Sequence, residues 1–212
     1  MRDYIRMNKV LKISLSVVVA LAAVVTMSCS NESDQKLISQ QSAISNYLKG
    51  SHKPKLIPEE ELSASLDEQP EYYVQWGLDL YRYIATMYAE GRDSWVEIDA
   101  DSSVAIRYKA YIFTNGAPSV SAMYATNDEA AMLELEAAGL NVSYEWTTDP
   151  YVIQLGTTDV IEGLEQALVG CREGDSVEIY MTYEMAYGKQ FIGMIPSRSS
   201  VVWYVDILEV KQ

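Results

Sequence analysis

The stretch from Tyr151 to Trp203 constrains this chain most, because hydrophobic pattern and turn punctuation coincide there. It opens with Tyr151-Val152-Ile153-Gln154-Leu155-Gly156, a short apolar-rich strand closed by glycine. From Val160 to Gly170, Ile161, Leu164 and Leu168 recur at helical spacing, which predicts one apolar face of a short helix stopped by Gly170. Val177, Ile179, Met181 and Tyr183 then alternate with Glu178, Tyr180 and Thr182, the period of a strand with one buried face. A loop containing Ala186-Tyr187-Gly188 and Ile195-Pro196 leads to a last apolar strand, Val201 to Val210.

Upstream, Leu78 to Tyr88 fits both helical and strand periods, and its aromatic and β-branched content favours a strand. Val104 to Phe113 is a clearer strand, with Val104, Ile106, Tyr108, Ala110 and Ile112 on one face. Asn115-Gly116 is a turn signal, and Met123 to Asn127 forms the next strand. Thr126-Asn127-Asp128-Glu129 has the form of a capping box before a helix-forming run, Ala130 to Ala138, that Gly139 ends. Gln35 to Lys49 carries Leu37, Ile38, Ala43, Ile44, Tyr47 and Leu48 at helical spacing before Gly50, and packing on the domain is favoured over pairing with a second copy.

The formal charge of −14 and the absence of a basic cluster in the folded part argue against a nucleic-acid partner. The single histidine, His52, has no companion ligands nearby, so no metal site is expected, and no cofactor motif is present. With Cys29 and Cys171 the only cysteines, and Cys29 at the head of the chain, no stabilising disulfide is expected; Cys171 reads as a small packed residue. Sixteen tyrosines against two phenylalanines mean that an apolar wall here generally carries a hydroxyl.

The run Leu155-Gly156, Val160-Ile161-Glu162-Gly163-Leu164, Gly170-Cys171-Arg172-Glu173-Gly174-Asp175, Ala186-Tyr187-Gly188, Ile195-Pro196 and Val202-Trp203-Tyr204-Val205 resembles, in order, the motifs of the FKBP family of peptidyl-prolyl cis/trans isomerases (rotamases). The resemblance implies an α+β fold: an FKBP-like antiparallel curved sheet wrapped on a short helix, here with an inserted helix at about 126–140 and an N-terminal helical extension. It implies a groove of catalytic residues Tyr108, Tyr187 and Ile161, and of substrate-binding residues Tyr124, Tyr151, Ile153, Val160, Leu164, Ile195 and Trp203. In that scheme Ile161 offers its backbone N–H, and Tyr187 its hydroxyl, to carbonyls of a bound proline-containing peptide. Leu164 would be the pocket floor where the family commonly has Trp. Ala125 stands where the family usually has an aspartate, which leaves two readings open: an isomerase, or a binding module that holds the same peptides with little turnover. A structural subunit docking through the inserted helix is a third.

The first residues read as an address. Arg2, Arg6, Lys9 and Lys12 precede the apolar Ile13 to Val25 and then Thr26-Met27-Ser28-Cys29. This resembles a bacterial lipoprotein signal cut before Cys29, with Thr26 where leucine is usual; an ordinary signal peptide or an uncleaved anchor is the other reading. The expected organisation is a signal at 1–28, an acidic tether and helical extension at 29–70, and the FKBP-like domain at 71–212. That places the protein in the cell envelope, lipid-anchored at Cys29 in the outer membrane, on its periplasmic side or exposed at the surface, with unfolded exported proteins as clients.

Overall fold

The computed structural model describes residues 32–57, 73–140 and 146–212. The expected signal, Cys29 and most of the acidic tether lie outside them. The chain divides into two compact units, Met1–Ser39 and Gln40–Gln212. In the first, residues 32–39 are helical.

The second unit begins with a helix over residues 40–50, α1. Then come β1 (Tyr73–Trp76), β2 (Leu80–Ile84), β3 (Ser103–Ile112), β4 (Met123–Thr126), α2 (Glu129–Ala137), β5 (Tyr151–Gln154), α3 (Glu162–Leu168), β6 (Ser176–Met181) and β7 (Val201–Lys211). The strands form one antiparallel sheet in the order β1-β2-β6-β7-β3-β4. β5 pairs with β3 along Ser103 to Ile106, and β4 pairs with it along Lys109 to Tyr111. Register shifts at Ala105/Ile106 and Ala110/Tyr111 are the bulges that bend so long a strand. The expected antiparallel sheet on a short helix is present.

Both faces of the sheet are covered, which revises the strand with a single buried face. On one face Leu164, Ala167 and Leu168 of α3 pack against Val104, Ile106, Ala110, Val177, Ile179 and Trp203. On the other, Ile44, Tyr47 and Leu48 of α1 and Ala131 and Leu135 of α2 pack with Tyr111, Phe113, Tyr180 and Val202. Tyr180, expected to face solvent, is therefore fully buried. The inserted helix covers the back of the sheet, away from α3. Its N-cap is Asp128, whose side chain accepts from the Ala131 N–H; the Thr126 hydroxyl instead donates to the Tyr108 carbonyl. α1 and Leu56 pack in this second core, within the same unit as the sheet.

α3 has only seven residues, too few to be stable alone, so its packing holds it. Gly163 makes that packing close: a Cβ there would lie 2.7 Å from the Met181 sulfur and 2.9 Å from the Met185 carbonyl oxygen. The Gly163 N–H donates to that same carbonyl at 2.8 Å, tying the start of α3 to the loop after β6.

His52 proves to be a buried clip. Its Nδ1 lies 2.7 Å from the Pro54 carbonyl oxygen and its Nε2 2.9 Å from Glu178 Oε2, inside a ring of Tyr47, Tyr83 and Tyr180. Both partners are acceptors, so the geometry suits an imidazolium that donates twice. Burial opposes that charge, but the Glu178 carboxylate and the Pro54 carbonyl outweigh it and raise the His52 pKa above 6.5. A proton held more tightly in the fold stabilises below the unfolded-state pKa, and that stabilisation fades as pH rises through the folded value. Urea titrations should show His52→Ala costing roughly 2 kcal/mol at about pH 5.5 and about half that at about pH 9. A gap that widens with pH would contradict the clip.

Candidate functional site

A pocket of about 390 Å³ opens between α3 and the sheet. Tyr151 enters from the start of β5, Asp159, Val160 and Ile161 from the turn before α3, and Glu162 and Leu164 from α3. The loop between β6 and β7 supplies Ala186, Tyr187, Gln190 and Ile192, and β7 supplies Trp203.

The aromatic wall follows from strand register. Tyr108 faces Val205 and Ala110 faces Trp203, so Tyr108 and Trp203 are diagonal neighbours on the same face. The small Ala110 leaves room for the indole, and the two rings stack with centroids 4.8 Å apart and planes 22° apart. Tyr151 leans on Tyr108 at 5.9 Å, and Tyr124 meets the edges of Trp203 and Tyr187 at 6.4 and 5.9 Å. The Tyr187 hydroxyl donates to the Tyr124 hydroxyl at 3.4 Å, a long bond that a better acceptor can replace.

Of the residues singled out in the sequence, the pocket brings together Tyr151, Val160, Ile161, Leu164, Tyr187 and Trp203. Tyr108 and Tyr124 stand behind this lining and support it through ring contacts. Ile153 and Ile195 are not among the lining residues: Ile153 is wholly buried in the core, and Ile195 is buried in the loop, bridged to Ile192. The pocket also includes Asp159, Glu162, Ala186, Gln190 and Ile192, which sequence reasoning passed over. Adjacency to Val160-Ile161 and to Tyr187-Gly188 was the available signal for the first three. Gln190 and Ile192 depend on a loop conformation that sequence does not show.

The polar groups here can bind but do not suit proton transfer near neutral pH. Burial raises the Tyr124 pKa well above 10, aided by Tyr187. Burial also raises Tyr187, and it raises Tyr151 together with the nearby Asp159 charge. All three hydroxyls therefore stay protonated and act as hydrogen-bonding groups. The Ile161 backbone N–H makes no hydrogen bond among the described residues, and Ile161 caps α3 without a side-chain acceptor. It is a donor at the pocket wall without an internal partner. Cys171 is remote from this chemistry: buried beside Arg82 and the Ala167 carbonyl, its thiol is pushed up to about 11 by burial.

The sequence profile of FKBP-type peptidyl-prolyl cis-trans isomerases matches residues 96–208. Peptidyl-prolyl cis-trans isomerase FKBP2 of Mus musculus is 33% identical over 64 residues, covering 30% of this chain and 46% of that protein. FK506-binding protein 2B of Rhizopus delemar is 33% identical over 64 residues, 30% of this chain and 31% of its own length. The chain thus spans less than half the length of these relatives. Among solved structures, FkpA from Escherichia coli superposes with a TM-score of 0.48 at 16% identity, covering 92% of this chain and 70% of that one.

Proposed function

The chain belongs to the FKBP-type peptidyl-prolyl cis-trans isomerase family, and from that membership we propose that it isomerises X-Pro bonds of exported proteins. The observation that carries this reading is the pocket lined by Tyr151, Leu164 and Trp203, with the unused Ile161 N–H and the loosely bound Tyr187 hydroxyl at its walls.

The chemistry needs no nucleophile. An X-Pro amide is held planar by resonance, with a rotation barrier of about 18–20 kcal/mol. Twisting it a quarter turn removes that resonance and much of its dipole, so the twisted form gives up less hydration on entering an apolar site. Leu164, Tyr151 and Trp203 supply the apolar part of the lining against which the amide would turn, and Ile161 and Tyr187 would hold flanking carbonyls meanwhile. Each tenfold of rate needs only about 1.4 kcal/mol of preference for the twisted geometry over the planar one.

A second reading is favoured by Ala125: the same pocket holds proline peptides without turning them over. Cis-to-trans relaxation of a short X-Pro peptide separates the two. Isomerase function predicts faster relaxation with micromolar protein; binding without acceleration would leave the module reading.

Anchoring through lipid on Cys29, in the outer membrane of a bacterial envelope, is part of the same proposal, supported by the charged, apolar and cysteine-terminated head of the chain. Expressed in full length in a bacterium, the protein should partition with membranes, and Cys29→Ser should move it to the soluble fraction. Retention of Cys29→Ser on membranes would count against the lipid.

A further inference from the structure

We infer that the pocket selects proline segments carrying a lysine or arginine close to the proline, through Asp159 and Glu162. The inference rests on the isomerase reading for its site and adds the class of segment that the site prefers.

Two carboxylates, Asp159 and Glu162, bracket Val160-Ile161 at the pocket lining, and no lysine, arginine or histidine lines it. The cations of the neighbouring loop, Lys189 and Arg198, do not reach the lining. Three other carboxylates of the fold face a cation directly: Asp175 meets Arg92, Glu97 meets Arg172 and Glu178 meets His52. Among the described residues neither Asp159 nor Glu162 is in an ion pair; Glu162 accepts only the neutral Gln166 amide. The negative field reaches into the cavity, since the Asp159 charge is felt at the Tyr151 hydroxyl. Because Asp159 and Glu162 flank Ile161, whose N–H faces no internal acceptor, a peptide docked on that N–H runs between the two carboxylates. A cationic side chain within two residues of the proline then meets both charges, whereas an acidic one meets repulsion.

Two exposed carboxylates several ångströms from a peptide cation are worth about tenfold in discrimination at low salt, and the effect collapses when the Debye length shrinks to about 3 Å near 1 M salt. The experiment uses one peptide scaffold with Lys, Gln or Glu two residues before the proline or directly after it, and full-length protein. At about 10 mM salt, where the Debye length is about 30 Å and the charges are little screened, kcat/KM should rank Lys over Gln over Glu, with Lys and Glu about tenfold apart. Asp159→Asn with Glu162→Gln should bring that ratio near one, as should about 1 M salt. Glu134→Gln with Glu136→Gln on α2 makes the same change of net charge on the far face, and should keep the tenfold ratio.

A wild-type ratio near one, or a ratio that survives loss of Asp159 and Glu162, overturns the inference. A ratio lost equally in the α2 control assigns the preference to overall charge and overturns it too. If no peptide is turned over, the isomerase reading has failed separately. Tryptophan-fluorescence titration of the same peptides then decides, a tenfold tighter Kd for the Lys peptide supporting charge selection and equal or absent binding overturning it.

Discussion

Asp175→Ala is expected to destabilise the folded unit by about 3–5 kcal/mol, a large part of the stability of an ordinary domain. Asp175 is fully buried, and its carboxylate has four donors: Arg92 Nε at 2.8 Å, Arg92 Nη2 at 2.6 Å, the Thr86 hydroxyl at 2.7 Å and the Arg172 N–H at 2.7 Å. These donors come from the segment after β2, from the short turn at Arg92–Ser94 and from the Gly170–Asp175 turn behind α3. One carboxylate therefore ties together the segments that seat the pocket helix. Removing it leaves the Arg92 guanidinium buried without its counter-charge, and breaking such a pair costs more than the pair contributes. Urea unfolding should show a midpoint lower by roughly 1.5–2.5 M if the slope is about 2 kcal/mol/M. Adding Arg92→Met should restore part of the loss, since the unpaired charge is then gone. A loss below about 1 kcal/mol would show that water reaches the site and that the ion pair is not the anchor described here.

Much of this fold is legible in the sequence because its elements carry strong local signals. Leu164 and Leu168 mark the buried face of α3, Gly170 adopts φ 79° at its end, and Val177, Ile179 and Met181 mark the α3-facing side of β6. The alternate positions were harder. Tyr180 resembles a solvent-facing tyrosine until α1 and α2 are known to cover the back of the sheet, a fact of tertiary packing with no local signature. His52 looked like an isolated loop residue because its partner, Glu178, is 126 positions away. At the site, it is the family resemblance that sets Ile153 beside Tyr151 in the wall. β5 is only four residues long, and Ile153 lies further under α3, within the core. Asp159 and Glu162 flank the apolar pair Val160-Ile161, and only the turn before α3 shows that both reach the lining.

The second large effect concerns Tyr187. Its ring lines the pocket from a loop, half-buried, with one long hydrogen bond to Tyr124, so truncation should disturb the fold little. In the proposed transition state the same ring covers apolar peptide surface and its hydroxyl holds a carbonyl. Covering an aromatic ring contributes about 1.5–3 kcal/mol, which corresponds to about 10–100-fold in rate if the contact tightens as the amide twists. Tyr187→Phe keeps the ring and should lose about 3–10-fold, the share of one hydrogen bond. The most direct measurement sets wild type beside Tyr187→Ala in a single X-Pro isomerisation assay, with unfolding midpoints recorded for both. The account predicts clear acceleration by wild type and a loss of at least about tenfold in Tyr187→Ala at a similar midpoint. Equal acceleration by both proteins would move the chemistry away from this pocket, and none from wild type would contradict isomerase function itself.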